Sequence, residues 1–242
     1  MKTKTLIAAF CSFFILHSAL AFEGRITAAL TRGGQATPLL YTAGTNCLRV
    51  EVTAPDRPNP VDLLDLQSGD MTLLFPNNRS FVRLKAATED SSTPPPGAPA
   101  MPNMPAAGGM PATPMMPPPM MEKLELTATG DKTNLLGLAC EKYELKQRGE
   151  TMEIWATGHL FPFQPYVQNQ PHRFGPRMIE EQWGELLKAK KLFPLLAVLK
   201  FENGEERLRF EVKSVTPQKP EEQDSALFQP PAEYREVQPL PF

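Results

Sequence analysis

The segment Leu195-Leu196-Ala197-Val198-Leu199-Lys200-Phe201-Glu202-Asn203-Gly204-Glu205-Glu206-Arg207-Leu208-Arg209-Phe210-Glu211-Val212-Lys213-Ser214-Val215 decides the fold. An apolar run, the turn signal Glu202-Asn203-Gly204 and a second run in alternation form an antiparallel hairpin. In the second run Leu208, Phe210 and Val212 face one way, and Arg207, Arg209, Glu211 and Lys213 face the other. That period of two belongs to a sheet with one dry and one wet face. The same grammar holds upstream, where Leu48, Val50 and Val52 alternate with Arg49, Glu51 and Thr53. Further short β-runs fall at 61–66, 71–75, 80–84, 124–127, 138–146 and 151–157. One helix is predicted over Arg177 to Lys191, bracketed by Pro176 and Pro194, with Ile179, Trp183, Leu186 and Leu187 on one face. Glu180, Glu181 and Glu185 precede Lys188, Lys190 and Lys191, the order that complements the helix dipole. An amphipathic helix among many strands lays its apolar stripe on the apolar face of the sheet. The fold class is therefore mainly β: a curved antiparallel sheet covered by a helix.

Residues 88–121 interrupt this pattern with Pro/Ala/Met/Gly-rich sequence, from Ser91-Ser92-Thr93-Pro94-Pro95-Pro96 to Pro117-Pro118-Pro119-Met120-Met121. Proline has no amide donor and restricts the residue before it, so the segment reads as a disordered or polyproline-like arm. The flank 22–87 holds only short strands and no helix to cover them, and reads as incomplete alone. The expectation is one domain, 22–242, with the arm as an insertion.

Residues 1–21 read as a cleavable secretion signal: Lys2 and Lys4, an apolar run over 6–16, then Ala19-Leu20-Ala21. That run is too short to span a bilayer core, which needs roughly 20 residues, and no later one is longer. Phe10 before Cys11 is bulky where a lipid-attachment signal takes a small residue. The expected location is the periplasm or the exterior. Without Lys2 and Lys4, 23 basic residues face 27 acidic ones, a net charge near −4, with no basic cluster to serve a nucleic acid. The remaining inventory is Cys47, Cys140, His159 and His172, which excludes a Cys/His zinc site and an iron–sulfur cluster.

Four segments carry a family resemblance: Phe22-Glu23-Gly24-Arg25-Ile26, Gly137-Leu138-Ala139-Cys140-Glu141-Lys142-Tyr143, Glu153-Ile154-Trp155-Ala156-Thr157, and Leu227-Phe228-Gln229-Pro230-Pro231-Ala232-Glu233-Tyr234. In their order and spacing the chain resembles the exported bacterial proteins known as domain of unknown function 4412, of the lipoprotein-carrier (LolA-like) superfamily. The Pro/Met arm departs from that pattern. The resemblance implies a half-barrel with helical cover in its concavity and an apolar interior able to hold acyl chains. It implies no activity.

Cys47 shares a face with Arg49 and Glu51, and Cys140 with Lys142 and Glu144. Half-exposed thiols in an oxidising compartment tend to pair, so a Cys47–Cys140 disulfide is expected. There is no Cys-x-x-Cys to support a redox role. Met101, Met104, Met115 and Met116 offer thioethers to Cu(I), but without regular spacing or a nearby histidine cluster the arm reads as low complexity that tolerates Met. His159 and His172 flank Phe161-Pro162-Phe163-Gln164-Pro165-Tyr166 and read as solvent-facing loop residues, since no hydrolase motif surrounds them. Asn78-Arg79-Ser80 matches a glycosylation acceptor by coincidence in a bacterial-type chain.

No cofactor is expected, and no enzymatic activity. The leading expectation is binding of an apolar ligand (a lipid, an acyl chain or a lipidated partner) in a cavity lined by Ile179, Trp183, Leu186 and Leu187, with Trp155 on a strand that lines it or backs it. The stripe also serves as plain core. The alternative is an envelope interaction or sensor protein whose core is filled and whose arm meets a protein partner. Copper binding by the arm is the third reading.

Overall fold

The computed structural model describes residues 22–54, 58–86, 124–166, 178–218 and 225–238. Residues 1–21, read from sequence as a secretion signal, the arm with its methionines, and His172 lie outside the described residues.

Strands β1 (Gly24–Arg32), β2 (Gln35–Ala43), β3 (Cys47–Val52), β4 (Val61–Asp65), β5 (Met71–Phe75) and β6 (Ser80–Leu84) form an antiparallel meander. Past the arm come β7 (Thr127–Leu135), β8 (Leu138–Gln147) and β9 (Glu150–Thr157), then helix α1 (Met178–Ala189), β10 (Phe193–Phe201) and β11 (Glu206–Pro217). A 3-10 turn at Ser225–Phe228 and a two-residue strand β12 (Arg235–Glu236) end the described chain. All twelve strands join one open, curved sheet in the order β12-β6-β5-β4-β3-β2-β1-β11-β10-β9-β8-β7. The expected fold class is the observed one. The helix expected over 177–191 is α1, bounded by the acids Glu180 and Glu181 and by Lys188.

The two meanders meet at the centre, where β1 pairs with β11 over its whole length. Gly24 opens this seam at φ +148°, and a Cβ there would lie 2.3 Å from the Thr216 carbonyl oxygen. Two-residue turns at Leu136-Gly137 and Arg148-Gly149 have both residues left-handed, the conformation that matches the twist of a tight hairpin.

Side-chain parity divides the sheet. On the concave face Tyr143, Ile154, Ala197, Phe210 and Leu30 stand opposite one another from β8 to β1. With Ile26, Leu39, Tyr41, Leu48, Val50, Met152 and Leu199 the first four belong to the main core, and the partly buried Leu30 packs against it. The convex face of β8–β11 carries an ion-pair lattice: Lys142 and Lys200 both reach Glu153, at 2.8 and 3.1 Å, and Glu211 bridges Arg209 and Lys213 at 3.0 and 2.8 Å.

The edge strand β7 is almost wholly exposed, and its pairing with β8 is broken between Ala128 and Lys132. A bulged edge carrying Asp131 and Lys132 is poorly suited to pairing with another chain.

Candidate functional site

The concave face carries the main apolar cluster of the described residues, and α1 lies on it. Ile179, Trp183 and Leu187 are 1%, 5% and 0% exposed, so three of the four stripe residues are core; Leu186 is partly buried beside them. The loop between β9 and α1 completes the cover. Leu160, Phe161 and Phe163 are buried, and the Phe163 amide donates to the Leu192 carbonyl at 3.0 Å, tying the loop to the end of α1. Gly184 lets them meet: a Cβ there would stand 3.0 Å from Cγ of Pro165.

Inside, the rings pack against one another edge-on or tilted. Phe163 lies 4.9 Å from Trp183, 5.3 Å from Phe210 and 5.6 Å from Phe193, and Phe161 lies 5.0 Å from Phe193. Tyr41 approaches Phe193 edge-on at 5.5 Å, and Phe22 reaches Phe161 at 6.3 Å. These separations are those of packed aromatic pairs. The concavity is occupied by the protein's own side chains. Ion pairs fix the start of the helix: Glu180, with a side chain 6% exposed, meets Arg207 at 2.8 Å and Arg32 at 3.7 Å, and Arg207 also bonds Glu150.

A few polar groups are buried at the β2–β4 end of this face. Asp62 is 1% exposed, and its charge together with burial holds the Tyr41 and Tyr166 phenols up, Tyr166 to about 12. In both, burial is the larger cause. Tyr166 donates to the Pro60 carbonyl at 2.9 Å, anchoring the far end of the loop on the strand side.

Two expectations from sequence need correction. Trp155 does not share a cavity with Trp183. It stands opposite Lys142 and Leu196 on the convex face, partly buried, while Met152 and Ile154 of the same strand point into the core at 0% exposure. Cys47 and Cys140 are both free. They lie on β3 and β8, six strands apart, which at about 4.8 Å per strand is ~29 Å along the sheet, far beyond the ~7 Å that a disulfide tolerates between Cα atoms. Burial raises both thiol pKa values.

His159 is exposed after β9, its amide held by Thr157 Oγ1 at 3.2 Å. Among the described residues no group of three or more His, Cys, Asp or Glu is placed to hold a metal ion, and no helix is long and apolar enough to cross a membrane. A cleft of about 590 Å³ opens at the β8–β9 and β10–β11 turns, lined by Lys146, Arg148, Glu150, Glu153, Lys200 and Phe201. Its Glu153 and Lys200 belong to the ion-pair lattice, and its Glu150 pairs with Arg207. The contribution missed from sequence is that of Leu160, Phe161 and Phe163. Its signal was the density of aromatic residues in so short a loop.

A comparison with curated proteins finds no match. Among solved structures the chain is similar to an uncharacterized conserved protein from Thermus thermophilus, at TM-score 0.48 and 11% identity, covering 91% of this chain and 93% of that one. It is similar to PNGF-II at TM-score 0.47 and 17% identity, over 91% of this chain and 32% of that one, so it spans about a third of that structure. A domain described as a putative outer membrane lipoprotein-sorting protein, from Vibrio parahaemolyticus, matches at TM-score 0.30 and 9% identity over 85% of this chain and 87% of that one. The family model described as Domain of unknown function (DUF4412) matches from the end of the arm through β7–β11 to Tyr234. Residues 116–234 match that family model, the family that the sequence motifs resemble.

Proposed function

We propose that the protein is an exported, non-enzymatic binding protein of the cell envelope whose concave face is committed to its own plug and which meets a protein partner through surface segments, the Pro/Met-rich arm first among them. One observation carries this reading: the ring-on-ring filling of the concavity by Phe161, Phe163 and Trp183, with Glu180 tethering α1 to Arg207. A carrier holds its ligand in empty or readily emptied space; this interior is occupied. The test replaces 88–121 by a Gly/Ser segment of equal length and compares partners cross-linked in the exported compartment. Loss of a specific partner, with the thermal transition unchanged, supports the reading. An unchanged set of partners rejects it.

A second reading keeps the concavity as the site of a lipid, acyl chain or lipidated partner. It is favoured by the extent of the apolar face, which runs from β4 to β8 beneath one helix of 12 residues and one loop. It requires α1 to leave, a population shift between two packings. Native mass spectrometry of protein from its exported compartment, followed by organic extraction, separates the two. Near-stoichiometric lipid would reverse their order. Copper binding by Met101, Met104, Met115 and Met116 is tested by Cu(I) competition against a chromogenic chelator, with Met115 and Met116 changed to Leu as the control.

A further inference from the structure

A second apolar cluster lies on the convex side of the sheet, the face opposite the plug. Val61, Leu74 and Phe81 stand in register across β4, β5 and β6, with Leu63 two residues further along β4, and all four are between 3% and 7% exposed. The C-terminal tail covers them. It enters at the 3-10 turn, where Arg49 Nη1 donates to the Leu227 carbonyl at 3.1 Å, and Tyr234 then packs on the cluster. It ends as β12, parallel to β6, with the Arg235 amide donating to the Arg79 carbonyl at 3.0 Å and the Val237 amide to the Phe81 carbonyl at 2.9 Å. Glu236 pairs with Arg83 at 3.2 Å.

This attachment is slight for what it covers. β12 matches only Ser80 and Phe81, it is the one parallel pairing in the described sheet, and no described tail residue is buried. β6 continues to Leu84, and among the described residues no strand pairs with Val82–Leu84 on that edge. Arg79 and Arg83 lie beside the edge, and the tail brings Glu236 to Arg83 next to its own Arg235. Together these features make a strand-addition groove: unpaired backbone groups supply affinity, and an apolar pocket beside them selects a side chain.

We infer that the convex groove of β4–β6 is a docking site for an extended, acidic peptide segment of a partner protein, anchored by an aromatic side chain and added parallel to β6. The tail shows which chemistry the groove accepts, and it is the occupant that a longer strand reaching Leu84 would displace. This inference rests on the reading that the protein acts by binding a protein partner, and it adds the surface and the chemistry of that partner.

The probe is a fluorescein-labelled peptide with the sequence of residues 228–238. The host is the full chain with Tyr234→Ala and Val237→Pro, which remove the anchor and one ladder donor. Saturable binding at least tenfold tighter than to the wild type is expected, with a tenfold loss when the tyrosine of the peptide becomes alanine. A folded variant that binds no better than the wild type overturns the inference. If the variant does not fold, amide exchange at Arg235 and Val237 is followed in the wild type as peptide is added in excess: faster exchange supports displacement, unchanged exchange overturns it. A wild type that dimerises by exchanging tails would assign the groove to a second copy and overturn it as well. Because the probe is a synthetic peptide and the arm stays intact, failure here leaves the arm reading standing, and success here does not rescue it.

Discussion

Replacing Trp183 by alanine tests whether α1 is a packed part of the core. Its ring is 5% exposed and lies 4.9 Å from Phe163 and 6.0 Å from Phe210. Truncation of a buried Trp costs about 3–5 kcal/mol, in which the two ring pairs count for about 0.5–1.5 kcal/mol each. With a urea m-value of roughly 2 kcal/mol/M, the midpoint falls by about 1.5–2.5 M. For a domain of this size the same loss lowers the thermal midpoint by roughly 6–20 °C. The assay is urea unfolding followed by far-UV circular dichroism, which does not depend on the ring removed. Trp155→Ala is the control: on the half-buried convex face it should lose about 1 kcal/mol, near the centre of the distribution for point mutants. A Trp183→Ala midpoint within about 0.5 M of the wild type, roughly 1 kcal/mol, would show that α1 rests loosely on the sheet. The concavity would then not be filled by a tightly packed helix.

Gly184→Leu pushes a side chain into Pro165 and should cost about 1–3 kcal/mol by overpacking, read by the same denaturation. Gly24→Ala puts a Cβ against the Thr216 carbonyl at the central seam, and stability should fall by at least about 2 kcal/mol, with faster amide exchange along β1 and β11. The Lys142 and Lys200 ammonium groups hold the Glu153 carboxyl below its ordinary value of 4.5. A carboxyl depressed in the folded state stabilises it above the ordinary value and ceases to do so as pH falls through the lower folded one. Urea midpoints taken downward from pH 5 should therefore fall less steeply in Glu153→Gln than in the wild type; parallel curves would refute the assignment. Alkylation of unfolded, unreduced protein should label both Cys47 and Cys140, and in the folded state the buried Cys140 should react more slowly than the partly exposed Cys47.

What sequence disclosed, and what it withheld, follows from how local each signal was. Leu208, Phe210 and Val212 alternate because one face of β11 is dry, and α1 shows its stripe because the helix lies on that face. β7 carries no such signal: Thr127-Ala128-Thr129-Gly130-Asp131-Lys132 sits at an edge with almost nothing to bury, so only pairing with β8 makes it a strand. β1 and β2 escaped because Thr, Ala and Pro dilute their alternation. Parity set Cys47 with Arg49 and Cys140 with Lys142, but parity names a face and neither a distance nor a depth: the thiols are six strands apart, and Cys140 is buried. The same limit hid the plug. Proline and histidine gave the loop around Phe161 and Phe163 a surface look, and its burial depends on Tyr41, Phe193 and Phe210 from distant strands.

The strand order sets a demand on the arm that has nothing to do with its composition. The chain leaves the sheet at β6 and re-enters at β7, ten strands away on the opposite edge, about 48 Å along the sheet surface at ~4.8 Å per strand. An extended chain advances at most ~3.4 Å per residue, so about 14 residues is the least that crosses a flattened path of that length. Removing 88–121 outright would leave only residues 85–87 and 122–126 between the end of β6 and the start of β7. The segment is thus a bridge: its letters can be rewritten and its length increased at small entropic penalty, while the eight residues left by its outright removal would reach only about 27 Å at ~3.4 Å per residue, which sets edge-strand pairing against the curvature of the sheet.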